Sequence, residues 1–190
     1  MLMFTILMWV ACSFGAPAIP ETLGERASAL SSYAQKNGYS TSHFLLVDLG
    51  RVSSLKRAYL VGSDGSILRS GQVAHGHCKY QNLTEVEFSN TSGSNCSSEG
   101  RYRIAEKYTG KFGESYKLDG LDSTNSNARA RFVVLHSHGC VLDKELGVPT
   151  CPSEGCPTLS PGMLDELKPV IDGQSKPMLL WIYKDEPGAQ

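Results

Sequence analysis

Apolar and polar positions change period several times along the chain, and each change predicts an element. Between Pro20 and Asn37, Leu23, Ala27, Leu30 and Ala34 recur at intervals of three and four. That is one apolar face of a helix, and Asn37-Gly38 is its stop signal. Residues 43–49 (HFLLVDL) then form a compact run of strand length. Residues 57–61 (RAYLV) and 66–68 (SIL) flank Ser63-Asp64-Gly65, a hairpin turn, and 73–76 (VAHG) continue or follow that hairpin. From Cys78 to Gly100 the chain is polar and rich in Ser and Asn, which predicts a long loop that is functional or tied down. Residues 101–104 (RYRI) restart a strand, and 110–120 read as a turn-broken strand pair. A polar loop from Asp122 to Asn127 leads into Phe132-Val133-Val134-Leu135, a strand predicted to stop at His136. A Gly/Pro-containing loop follows. Ser160-Pro161 is then a helix start, a capping hydroxyl before a proline. Met163, Leu164, Leu167, Val170 and Ile171 make the helix's apolar face. Pro169 is predicted to kink or shorten that helix, and Gly173 is its latest stop. Residues 178–183 (MLLWIY) predict a last strand before a charged tail. The sum is a mainly β fold with a few helices.

Length and charge narrow the reading. The 190 residues suggest one domain with a real core. A net charge of −1 gives no reason to expect nucleic acid or an acidic membrane surface. Met1 to Val10 is nearly all apolar, small residues follow, and the run is too short to form a stable membrane span. Ala16-Pro17-Ala18 has small residues spaced for cleavage, so residues 1–18 are expected to be a signal peptide, although no Lys or Arg precedes the run. Trp9-Val10-Ala11-Cys12 loosely fits a lipoprotein signal, which would anchor the chain at Cys12. The expectation is an exported protein of the cell envelope. A helical segment at 19–42 would precede a catalytic domain at 43–185.

Export changes the meaning of the cysteines. Cys78, Cys96, Cys140, Cys151 and Cys156 remain after cleavage, an odd number in an oxidising compartment. The simplest pairing is Cys78–Cys96 and Cys140–Cys151, each local in sequence, although spacing alone leaves the connectivity open. Cys156 is then free. It stands twenty residues after His136, at the turn Ser153-Glu154-Gly155-Cys156-Pro157 that precedes the second helix. A thiol needs a nearby base to attack a carbonyl at neutral pH, and a histidine at a strand end is a rigid mounting for one. Gly155 permits unusual backbone angles, and N–H groups at Gly155 and Cys156 could face an oxyanion.

Ser153-x-Gly155-Cys156, with its upstream histidine, following helix and apolar strand, resembles the L,D-transpeptidase catalytic domain (YkuD-type). The resemblance extends to Ala74-His75-Gly76, Phe88-Ser89-Asn90, residues 97–102 (SSEGRY), 118–122 (LDGLD) and 125–131 (NSNARAR), features of the exported murein L,D-transpeptidase branch. It covers roughly Phe44 to Tyr183. It implies a β-sandwich or barrel with the nucleophile on a turn before a helix. It also implies an acyltransferase on peptidoglycan stem peptides, in which Cys156 attacks, His136 is the base and Ser137 helps hold the imidazole. Ser153 and Gly155 would position the turn, and no cofactor or metal is needed. An amine acceptor would give cross-linking or exchange; water would give an L,D-carboxypeptidase-type hydrolase.

Two departures stand out. The branch commonly carries Gly-Arg before the motif serine, whereas this chain has Cys151-Pro152, so a cation for a substrate carboxylate is missing there. Arg129 or Arg131 could compensate, and His138 could touch the site. Second, Ser137-His138-Gly139-Cys140 spells another form of the motif, but no histidine stands near residue 120 to serve Cys140. The competing readings are a non-catalytic wall-binding domain and a zinc site built from Cys140, Cys151, Cys156 and a histidine. The latter lacks the short Cys-x-x-Cys pairs of structural zinc sites. Three Asn-x-Ser/Thr triplets, at Asn82, Asn90 and Asn95, are patterns that polar loops produce by chance. The sequence does not indicate an oligomeric state.

Overall fold

The computed structural model describes residues 23–78 and 85–185. The export-signal reading of residues 1–18, the Cys12 anchor and the triplet at Asn82 fall outside them. Helix α1 (Leu23–Asn37) is followed by β1 (His43–Asp48), β2 (Ala58–Gly62), β3 (Ile67–Gly71), β4 (Val73–Ala74), β5 (Gly100–Gly110), β6 (Gly113–Gly120), β7 (Val134–Ser137), β8 (Thr158–Leu159), helix α2 (Pro161–Asp172) and β9 (Leu179–Tyr183). Among the described residues no helix is long and apolar enough to cross a membrane.

The strands form one sheet in the order β3-β2-β1-β9-β5-β6-β7-β8-β4. Only Gln72 separates β3 at one edge from β4 at the other. The sheet must therefore curl until its edges are neighbours, which makes it a near-barrel. Inside lies a core of Leu45, Val47, Tyr102, Ile104, Leu118, Leu135 and Leu180, and α2 contributes Met163, Leu164 and Leu167 to it. The opposite face of β1, Phe44 and Leu46, packs on Ala27, Leu30 and Ala34 of α1. β1 is buried on both sides, which is why its sequence is a continuous apolar run instead of an alternation. α1 also buries Arg26, whose guanidinium lies 3.5 Å over the Tyr183 ring and pairs with Asp185.

Four elements differ from the sequence reading. The central strand starts at Val134 and runs on through His136 to Ser137. A tight turn, Val133 N to Ala128 O at 3.0 Å, puts Phe132 at φ 57° and leaves it 84% exposed. β5 and β6 make one long hairpin whose turn is Lys111-Phe112, with Gly113 at φ 77°. Gly110, expected to open a strand pair, closes the first strand of it. β8 is two residues long and carried no periodic signal. α2 passes Pro169 and ends at Asp172, because its last turn is fastened to the sheet: Tyr116 Oη and Lys107 Nζ donate to the Asp172 carboxylate at 2.8 and 2.9 Å. The polar stretch after Cys78 is a loop where it is described, as expected.

Candidate active site

β7 carries His136 one residue before its end, and β8 lies parallel to it with Thr158 opposite His136. Two residues before Thr158 stands Cys156. The short pairing of β7 with β8 thus brings the turn that bears the thiol to the strand that bears the imidazole. The turn is clamped from the other side. Ser153 N–H donates to His75 O at 2.8 Å, His77 N–H donates to Ser153 O at 2.9 Å, and Gly76 bridges Ser153. The Ser153 hydroxyl donates to Cys156 O at 2.7 Å and accepts from Gly155 N–H at 3.2 Å, closing the turn on itself. Gly155 has φ 112°, and a Cβ there would stand 2.7 Å from Cys96 O, so only glycine fits.

The described cysteines divide into two bridges, Cys78–Cys96 and Cys140–Cys151, with Cys156 unpaired. Cys140, the nucleophile of the alternative motif, is thereby tied up. His138, Cys140 and Cys151 bring potential metal-ligand atoms within 4.8 Å of one another, but two of these atoms are the joined sulfurs of a disulfide. The zinc set considered from sequence therefore has only one free thiol among its cysteines.

His136 and Cys156 line one open cleft of about 370 Å³ together with Lys111, Phe112, His77, His138 and Thr158. Phe112 stacks on the His136 ring at 4.0 Å between centroids and 16° between planes, and meets His138 edge-on. His136 Nδ1 lies 3.1 Å from Ser137 O. A proton on Nδ1 donated to that carbonyl leaves Nε2 as the free base, and Nε2 sits 3.0 Å from the Thr158 hydroxyl. The Ser137 backbone carbonyl, and not its hydroxyl, is the group that faces Nδ1. The thiol and the ring are not hydrogen-bonded to each other. Cys156 Sγ accepts from Val134 N–H at 3.5 Å and lies 3.9 Å from Phe132 O.

Burial pushes the Cys156 thiol above its ordinary pKa. The Val134 N–H opposes that rise and Glu154 adds to it. Burial likewise holds His136 below its ordinary value against the pull of the Ser137 carbonyl, with the charges of His138 and Lys111 lowering it further. Both shifts favour thiol and neutral imidazole over a standing thiolate–imidazolium pair.

The remaining expected residues are distributed differently. The Gly155 N–H, one of two expected oxyanion donors, is held by Ser153. Among the described residues the Cys156 N–H makes no backbone hydrogen bond outside the helices and strands. Arg131 does not line the cleft: its guanidinium donates to Ser89 O, Ser98 Oγ, Cys96 O and Ser94 Oγ. Arg129 is spent on Asp119 and Glu106. His138 stands on the cleft wall, its Nδ1 accepting from Cys140 N–H at 3.2 Å. His77 is also on the wall, whereas His75 is buried beneath it, 2.8 Å from Arg57 Nη2. Phe112, Lys111 and Thr158 were not foreseen. Only Thr158 had a legible signal, its place just after the motif cysteine and Pro157.

Among the described residues, a β-rich body carries one unpaired cysteine that shares a cleft with a histidine, the arrangement of a cysteine-dependent domain. The chain matches the L,D-transpeptidase catalytic domain over residues 13–183 and belongs to that family. No curated protein matches it. Similar solved structures include a mutant of the helical cell shape determining protein Pgp2 from Campylobacter jejuni, at 14% identity and a TM-score of 0.48, over 85% of this chain and 57% of that one. They also include an L,D-transpeptidase from Xylanimonas cellulosilytica, at 14% identity and 0.42, over 85% of this chain and 77% of that one. A third is an L,D-transpeptidase from Mycobacterium smegmatis, at 13% identity and 0.44, over 75% and 58%. The chain spans about half the length of the Campylobacter protein, 57% and 48% in two structures of it.

Proposed function

We propose that the protein is an exported acyltransferase that forms a thioester between Cys156 and a peptidoglycan stem peptide, and passes the acyl group to an amine. The unit that does so is residues 43–185 with α1 packed against it, and residues 1–18 direct export. The observation that carries this reading is the unpaired Cys156 beside His136 in one cleft, while the other four described cysteines are joined in pairs.

The thiol swings from Phe132 O toward the imidazole, and His136 Nε2 takes its proton as sulfur attacks the carbonyl before the terminal D-residue. Resting thiol–base contacts are often long before substrate arrives. The Cys156 N–H stabilises the oxyanion. As the C–N bond breaks, the imidazolium returns its proton to the leaving amine, and the thioester remains. An incoming amine loses a proton to His136, the new C–N bond forms, the C–S bond breaks and the sulfur is reprotonated. Atoms and electrons balance without a cofactor. Phe112 keeps the ring in plane, and the Ser137 carbonyl fixes its tautomer.

Intact-mass analysis of the full chain after exposure to a carbapenem tests the proposal. A single adduct on Cys156, absent from Cys156→Ala, is expected. An adduct on Cys140, or none at all, refutes it. Product analysis with and without an acceptor amine separates transfer from hydrolysis.

A further inference from the structure

We propose that Lys111, at the turn of the β5–β6 hairpin, binds the free carboxylate of the residue that leaves the donor peptide. The inference deepens the function proposed above and rests on it. Lys111 is exposed and lines the same cleft as Cys156 and His136. Its ammonium lies 4.7 Å from the centroid of the Phe112 ring, the ring that stacks on His136. Among the described residues no carboxylate lies within ion-pair distance of it; the ion pairs of the hairpin involve Arg103, Lys107, Lys117 and Arg129 instead. The two arginines that sequence offered for this task, Arg129 and Arg131, are both engaged elsewhere. The cleft therefore has one lysine or arginine among its described lining residues, and no internal partner neutralises it.

The chemistry of the donor says where a negative charge will fall. The residue released by attack on the preceding carbonyl carries its carboxylate three bonds from the attacked carbon, within about 5 Å. A cation in the cleft of the nucleophile can reach it only when the scissile bond is the last in the chain. Lys111 would thus select the terminal peptide bond over internal ones. The hairpin mounts the ammonium on a firm base, because Phe112 is stacked on His136 and Gly113 closes the turn in a conformation suited to it. Glu154, on the turn that carries Cys156, supplies the opposite charge in the cleft and gives it a polarity.

Binding to the full-length Cys156→Ala chain tests this without any chemistry. The probes are a synthetic stem tetrapeptide ending in D-alanine and the same peptide as its C-terminal amide, each titrated by NMR. The acid is expected to bind about five- to tenfold more tightly than the amide, as for a charge-assisted pair in a partly exposed cleft. In Cys156→Ala/Lys111→Met that ratio falls to about one, and in Cys156→Ala/Lys111→Arg it is retained. A ratio unmoved by Lys111→Met, equal binding of the two peptides, or binding of neither overturns the assignment. Should the ratio follow Lys111 while the wild-type chain forms no adduct on Cys156, the catalytic reading falls and the carboxylate site stands.

Discussion

Arg131→Met should cost the protein stability and leave substrate affinity nearly untouched. The guanidinium gathers Ser89 O at 2.8 Å, Ser98 Oγ at 2.5 Å, Cys96 O at 2.7 Å and Ser94 Oγ at 3.3 Å. Two of these are backbone carbonyls of a loop with little regular structure of its own. Hydrogen bonds from a charged donor contribute about 1.5–3 kcal/mol each, less than additively when they share one side chain. The partial exposure of Arg131 and of Ser94 reduces the sum, so a loss of about 3 kcal/mol is expected. For a chain of this size that is roughly a 10 °C fall in Tm. The disturbance should reach the nucleophile, because Cys96 O also packs against Gly155. The assay is thermal unfolding by circular dichroism under oxidising conditions, beside KM and kcat for a donor peptide. A variant with an unchanged Tm and a tenfold higher KM would show that Arg131 serves substrate, and the structural argument would be wrong.

Other outcomes follow from the same geometry. Gly155→Ala forces a Cβ to within 2.7 Å of Cys96 O at φ 112°, so a loss of about 2–4 kcal/mol in denaturant midpoint, with slowed alkylation of Cys156, is expected; a wild-type midpoint would contradict it. Iodoacetamide should react with Cys156 at a rate that climbs with pH through a midpoint above that of an ordinary thiol, since burial raises its pKa; a plateau reaching below pH 6 would instead reveal a preformed ion pair. The acid limb of kcat/KM should fall below the ordinary histidine pKa, about 6.5. His136 is held low by burial, so the neutral base persists to lower pH and is lost only as pH drops through the depressed value. Phe112→Ala frees one face of the imidazole and should lower kcat about tenfold with little change in Tm.

Much of this architecture was legible beforehand because it depends on local rules. α1 and α2 show helical spacing with a capped or glycine-marked end, and the apolar runs at 43–49 and 178–183 became adjacent parallel strands β1 and β9. The simplest pairing of five cysteines, two local bridges, leaves Cys156 over, and the described bridges follow that pairing. What stayed hidden is held by contacts distant in sequence. β8 is two residues long and exists only because β7 and β4 flank it. Phe132 is as apolar as its neighbours, yet a turn ending at Val133 expels it. Lys111 and Phe112 look like ordinary hairpin residues until the long β5–β6 ribbon carries them to the imidazole. Arg131 sits in the family-like run 125–131, but spacing cannot say which way a side chain points.

Gln72 acts as a fastener. Its side chain donates to Ser54 O at 2.6 Å, and it is the single link between two strands at opposite borders of the sheet. α2 sits at that seam, with Met163 so near Gly71 that a methyl there would collide and with Glu166 paired to Arg69. The two-residue β4 offers a neighbouring molecule too little backbone to extend. At the β4 border, then, copies can crowd together without adding strands to one another, while the five-residue β3 leaves the other border open.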